Sequence, residues 1–299
     1  MRSPRLLRNC DPVYAKRARQ ELHRLERKRE ELEQLRETFK NDSGRHTLVL
    51  LDATSGDHLQ AAVAIGEVDE ADHIVVHTPG MTSLVNDSLV REGGSWGKDV
   101  DAMQHVLDEA DRQLIDQNRI DEDVAAVVWL GYDAPQWGEA VFTDHSVALS
   151  DQAEAGGERL AGFLDSLQST HNGDPHLVAS GHSYGSSVTG YALQETAAPH
   201  EFNALGSPGV SANHVGPLHI IPGKFNVASA PGDGVAAIAR FGGQPPVNEG
   251  HRIGTGGWTS PEGIDYSPSY GHSQYFDAGH TSTYDQGSIL IGNGVASGG

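Results

Sequence analysis

The chain has 299 residues, 37% of them hydrophobic, with a formal net charge of −20; that length suits one large α/β domain with an appendage. The charge is uneven: residues 1–45 hold 13 Lys/Arg against 8 Asp/Glu, and the remainder holds 8 against 33. So acidic a body repels a phosphate backbone, which argues against nucleic acid as a partner, and no run of about 18 apolar residues is present to span a membrane.

The start, Met1 to Arg8, is basic but leads into no apolar stretch, so no cleavable secretory signal is legible. The expected location is the cytoplasm, or outside it by export without a classical signal peptide. Cys10 is the sole cysteine, which rules out an internal disulfide.

Residues 12 to about 40 read as one charged helix, in which Leu25, Leu32 and Phe39 recur every seven residues. The expected division is a charged N-terminal helix over 1–45 and an α/β domain over 46–299. The leucine stripe is expected to be buried on that domain or on another copy, so the helix is also the candidate surface for a homo-oligomer or protein partner. Asn41-Asp42-Ser43-Gly44 ends it.

From there strand and helix patterns alternate. Apolar runs at 47–51, 61–65, 73–77, 125–130 and 177–180 read as strands, and the first two are joined by a turn at Ser55-Gly56-Asp57. A helix over about 98–117 has Val100, Met103, Leu107 and Leu114 on its apolar side, and another covers about 151–168. Further strands follow at 203–206 and 224–229, then a helix from Gly234 to Ala239. Residues 240–299 are rich in Gly, His, Ser and Tyr with little periodicity, and read as long loops over one edge of the sheet. Strands spaced by such helices imply a mostly parallel sheet.

Gly181-His182-Ser183-Tyr184-Gly185 is a G-x-S-x-G turn with an apolar strand before it and a helix after it. Such a turn forces its serine outward as a nucleophile. A serine hydroxyl needs an imidazole to take its proton, and the imidazole needs an acceptor that fixes its tautomer. Asp233, just after the strand ending near Ala228, is the candidate acid; Asp265 and Asp277 have no strand leading into them. His251, His272 and His280 follow as candidate bases. His272 leads into Tyr275-Phe276, a pair able to anchor its loop. His182 is expected to point away from the active face as a packing residue. The backbone N–H groups of Tyr184 and of Met81, in the loop Thr78-Pro79-Gly80-Met81, are the candidate oxyanion donors. No H-E-x-x-H or comparable spacing occurs among the 16 histidines, so neither metal nor other cofactor is expected.

Together with Trp129-Leu130-Gly131-Tyr132-Asp133-Ala134-Pro135, Gly206-Ser207-Pro208-Gly209-Val210 and Gly271-His272-Ser273, these strings resemble an actinobacterial α/β-hydrolase family of unknown function. The resemblance covers about residues 47–280. It implies an α/β-hydrolase fold with Ser183, Asp233 and His272 as its triad, and it supplies no substrate. The leading expectation is a serine hydrolase that cleaves a small-molecule carboxylic ester through an acyl-enzyme. Amide or peptide cleavage on the same triad, and a non-catalytic interaction module, are the alternatives.

Overall fold

The computed structural model describes residues 12–136, 146–236 and 249–297. Cys10 and the end of the helix expected from Gly234 to Ala239 lie outside the described residues.

An eight-stranded sheet forms the centre. Its strands are β1 (His46–Asp52), β2 (Gln60–Ile65), β3 (His73–Thr78), β6 (Val124–Leu130), β7 (His176–His182), β8 (Glu201–Leu205), β9 (Phe225–Ala228) and β10 (His251–Arg252). They lie side by side in the order β1-β2-β6-β3-β7-β8-β9-β10. β2 runs antiparallel to both β1 and β6, and every pairing from β6 to β10 is parallel. Two small hairpins, β4 (Val90–Arg91) with β5 (Ser95–Trp96) and β11 (Trp258–Thr259) with β12 (Asp265–Tyr266), complete the strands.

The central strands read as unbroken apolar runs because both of their faces are covered. Ile74, Val75, Val76, Ala125 to Leu130, Leu177 and Val178 are all buried. α2 (Lys98–Asp116) buries Val100, Met103, Leu107 and Leu114, the side its spacing predicts. α3 (Ser146–Thr170) packs against α4 (Tyr184–Glu195), the helix that follows the serine turn. The parallel strands β3, β7, β8 and β9 end at one edge, which gathers their outgoing loops.

Two expectations are corrected. Residues 240–299 are more than loops: α5 (Thr281–Leu290) is a helix buried along its whole length against α2. Its sequence shows no apolar stripe because it is enclosed on all sides and satisfies its polar groups internally. Gln286 donates to the Tyr275 carbonyl at 2.7 Å, and Asp285 accepts from the N–H groups of Gly254, Ala296 and Ser297.

The second correction concerns only the face that α1 (Pro12–Asn41) turns to the body, not burial of its stripe on another copy. The helix lies on the body, but Leu25 and Leu32 are 51% and 38% exposed, and Phe39 is only partly covered, edge-on to Trp96. The buried side carries Ala15, Lys28, Glu31, Leu35 and Thr38 instead. Its attachment is polar. Lys28 donates to the carbonyls of Ala53 and Ser55, Arg24 to that of Gly56, and Glu31 accepts from the Leu59 N–H at 2.8 Å. The chain between β1 and β2 leaves these backbone groups without ladder partners, and charged side chains of the helix supply them.

Candidate active site

β7 leads directly into Ser183, and α4 begins at the next residue. Ser183 has φ 55° and ψ −131°, a region that residues with a side chain rarely occupy. The strain persists because the turn is held from several directions. The Ser183 N–H donates to the Leu205 carbonyl at 2.9 Å, and the Ser183 carbonyl accepts from both the N–H (3.0 Å) and the hydroxyl (2.6 Å) of Ser186. Ser186 is itself tied to Ser207 and to the Gly209 carbonyl in the loop after β8. A side chain at Gly185 would fall on the Thr78 and Pro79 carbonyls, so only glycine lets this turn approach the end of β3 so closely.

The structure brings Asp233 and His272 together. The His272 Nδ1 lies 2.9 and 3.0 Å from the two Asp233 carboxylate oxygens. Because a carboxylate can only accept there, Nδ1 carries a proton, and in the neutral ring that leaves the lone pair on Nε2. Asp233 is buried, which by itself pushes its carboxyl up, but donors from His272, Tyr275 and the Ala236 N–H outweigh burial and hold it at about 2. It is therefore an anion throughout the neutral range. His251 lies exposed in β10, and His280 contacts Ser269 and Asp277, so neither approaches Asp233.

Two contacts seat this pair beside the serine turn. A Cβ added at Gly206, the residue after Leu205, would lie 2.9 Å from Asp233 Oδ2 and 3.1 Å from His272 Cε1, so the pair occupies the space that glycine leaves. His182, the residue before Ser183, has its ring 4.7 Å from that of His272 and donates from Nε2 to the His272 carbonyl at 2.8 Å. This corrects the expectation that His182 points away: it is a packing residue, but it packs on the candidate base. Burial, with His272 beside it, pushes the His182 imidazole down to about 4, so it stays neutral.

The loop after β3 lies on the other side of the serine. A Cβ at Gly80 would be 2.7 Å from Ser183 Cβ and 3.2 Å from its Oγ. The Tyr132 hydroxyl, beyond the end of β6, is 2.7 Å from the Pro79 carbonyl oxygen and 3.2 Å from that of Gly80. In a trans peptide the N–H points opposite to the C=O, and no described peptide bond is cis. Tyr132 thus turns the Met81 N–H away from itself, as Ser186 turns the Tyr184 N–H away by holding the Ser183 carbonyl. Tyr184 is the first residue of α4, where N–H groups point out of the helix start and the dipole favours negative charge.

Tyr132, Ser186 and Tyr275 are the residues that reading the sequence did not assign. Tyr132 lies within the W-L-G-Y-D-A-P string and Tyr275 was visible only as a loop anchor; their hydrogen bonds span 53 and 42 residues of chain. Among the described residues no group of His, Cys, Asp and Glu is arranged to hold a metal ion, and no helix is long and apolar enough to cross a membrane.

Comparison with protein-family models agrees with this architecture. A family model described as "Alpha/beta hydrolase" matches residues 55–243. An uncharacterized protein of Mycobacterium tuberculosis is 34% identical over 218 residues, covering 71% of this chain and 76% of that protein. A second uncharacterized M. tuberculosis protein is 28% identical over 262 residues, covering 79% of this chain but 38% of its own length. Among solved structures, that of esterase PE8 overlays with a TM-score of 0.45 and 15% identity, over 76% of this chain and 96% of the esterase. With the family model covering more than half of its residues, and mycobacterial proteins among its relatives, the chain belongs to the α/β-hydrolase family.

Proposed function

We propose that this α/β-hydrolase is a serine carboxyl-ester hydrolase, with Ser183 as nucleophile, His272 as general base and Asp233 as the acid that orients it. The observation that supports the reading is a strained serine on a strand-to-helix turn, whose preceding residue His182 packs on an imidazole with its Nδ1–H already committed to a buried carboxylate.

In this reading the lone pair on His272 Nε2 takes the Ser183 proton as Oγ attacks the acyl carbon. Asp233 stabilises the resulting imidazolium, which its anionic state allows. The negative charge that develops on the carbonyl oxygen is met by the N–H groups of Met81 and Tyr184. Collapse of the tetrahedral intermediate breaks the ester C–O bond, and the alkoxide leaves with the proton held by His272. A water, deprotonated by the same ring, then attacks the acyl-enzyme and releases the acid. The substrate is a small-molecule acyl ester. α1 is an accessory element, since every group in this scheme lies in residues 46–299.

A fluorophosphonate probe and a p-nitrophenyl ester panel of graded chain length test the reading together. The wild-type chain should be labelled on Ser183 and should turn over at least one ester, and folded Ser183→Ala should do neither. Ester turnover at the wild-type level by folded Ser183→Ala overturns the assignment. A wild-type chain inert to both reagents favours a binding module on this fold.

A further inference from the structure

Tyr275 is fully buried three residues beyond His272, in a single helical turn over Gln274–Phe276. Its hydroxyl lies 2.8 Å from the Ala230 backbone nitrogen and 2.6 Å from Asp233 Oδ2. The Ala230 N–H can only donate, so the phenol oxygen accepts from it and its own proton is directed at the carboxylate. Burial, reinforced by the adjacent carboxylate, pushes this hydroxyl up, so it remains a donor throughout the neutral range. The other oxygen, Asp233 Oδ1, accepts from the N–H groups of Val235 (2.9 Å) and Ala236 (3.1 Å). Both oxygens are therefore fixed before His272 is considered. The loops carrying base and acid are joined once more by the Gly271 N–H on the Pro231 carbonyl at 2.9 Å.

We propose that Tyr275 is a positioning residue that holds Asp233 square to His272 and moderates the pull of the carboxylate on the imidazolium. The proposal rests on the Ser183–His272–Asp233 reading above and adds to it a fourth, non-reacting member. A neutral donor at 2.6 Å draws charge density from the carboxylate without competing for its position on Nδ1. Without that donor the carboxylate is both freer to turn and more basic. Turning slows the chemical step, and greater basicity stabilises imidazolium at the expense of the neutral ring that must accept the serine proton. Besides Asp233, the His272 ring faces the titratable side chain of His182, 4.7 Å away. His182 is held neutral by burial, and Lys98, at the start of α2, is paired with Asp87 and further disfavours charge on His182.

The test is Tyr275→Phe, which removes one oxygen and keeps the ring. For p-nitrophenyl ester turnover, kcat should fall about tenfold with KM changed less than about twofold, and the acid limb of the pH–rate profile should move up by roughly half a pH unit. A merely structural role would lower the melting temperature and leave that limb in place. A measurement on the wild-type chain covers the case in which the variant does not fold. The buried Tyr275 hydroxyl proton should give a slowly exchanging NMR resonance whose shift changes through the same pH interval as the acid limb. An unmoved or lowered limb with unchanged kcat, or a hydroxyl resonance indifferent to pH there, overturns the proposal. Fluorophosphonate labelling separates the two levels. A labelled Ser183 beside unaltered Tyr275→Phe kinetics removes only the role of Tyr275, whereas an unlabelled wild-type serine removes the reading beneath it and this role with it.

Discussion

The Tyr132 hydroxyl and the Pro79 carbonyl oxygen lie 2.7 Å apart, a bond that ties the end of β6 to the loop after β3 across 53 residues of chain. The same hydroxyl lies 3.2 Å from the Gly80 carbonyl oxygen, whose peptide carries the Met81 N–H, and so bears on where that N–H can point. Tyr132→Phe loosens this donor without deleting it, so the cost should be smaller than the hundredfold or more that follows removal of an oxyanion donor. About a tenfold loss of kcat with little change in KM is expected, and steady-state kinetics on a soluble ester check it. Unchanged kcat would show that the loop is held without the phenol.

Ser183 occupies a backbone region at φ 55° that costs of order 1–3 kcal/mol for a residue with a side chain. Glycine adopts it with less strain. Ser183→Gly should therefore be inactive and yet more stable than Ser183→Ala, by about 1 kcal/mol in urea unfolding. Equal midpoints for the two variants would place the strain elsewhere in the turn.

Asp233 contributes stability that depends on pH in a definite direction. Its folded value, about 2, lies below the roughly 3.9 of an unfolded aspartate, so its stabilisation is complete above about pH 4 and is lost as pH falls toward 2. Comparing wild type with Asp233→Asn by urea unfolding should show a gap that narrows as pH falls from about 4 toward 2. Activity of the variant at pH 7 should fall by about 10³–10⁴, because the amide cannot fix the same tautomer. A gap that widens below about pH 4 contradicts the assigned direction.

Lys28 is buried beneath α1 with its ammonium on the Ala53 and Ser55 carbonyls. Lys28→Met fills similar volume but leaves those acceptors unpaired, and should destabilise the protein by about 1–3 kcal/mol. The carbonyls lie in the chain between β1 and β2, away from Ser183, so kcat should be unchanged. Thermal melts alongside ester kinetics read both, and a loss of turnover without loss of stability would link α1 to the site.

What the sequence determined by itself is local. Apolar runs such as Ile74-Val75-Val76 and Ala125 to Leu130 could only be strands covered on both faces, and the spacing of Val100, Met103, Leu107 and Leu114 chose the buried side of α2. The glycines around Ser183 specified a tight strand-to-helix turn because contiguous backbone geometry depends on contiguous residues.

Other features were decided only when distant segments met. α1 buries Lys28 and Glu31 in preference to Leu25 and Leu32, because the chain between β1 and β2 offers backbone groups that need charged partners and no apolar surface to match the leucines. α5 shows no periodicity because it is buried on every side, and a period reports burial only when one face stays wet. Tyr132 and Tyr275 looked like ordinary aromatic residues in the chain. Their hydroxyls acquire a role from hydrogen bonds to residues 53 and 42 positions away, and only the packed sheet, by bringing its strand ends to one edge, brings those partners within reach.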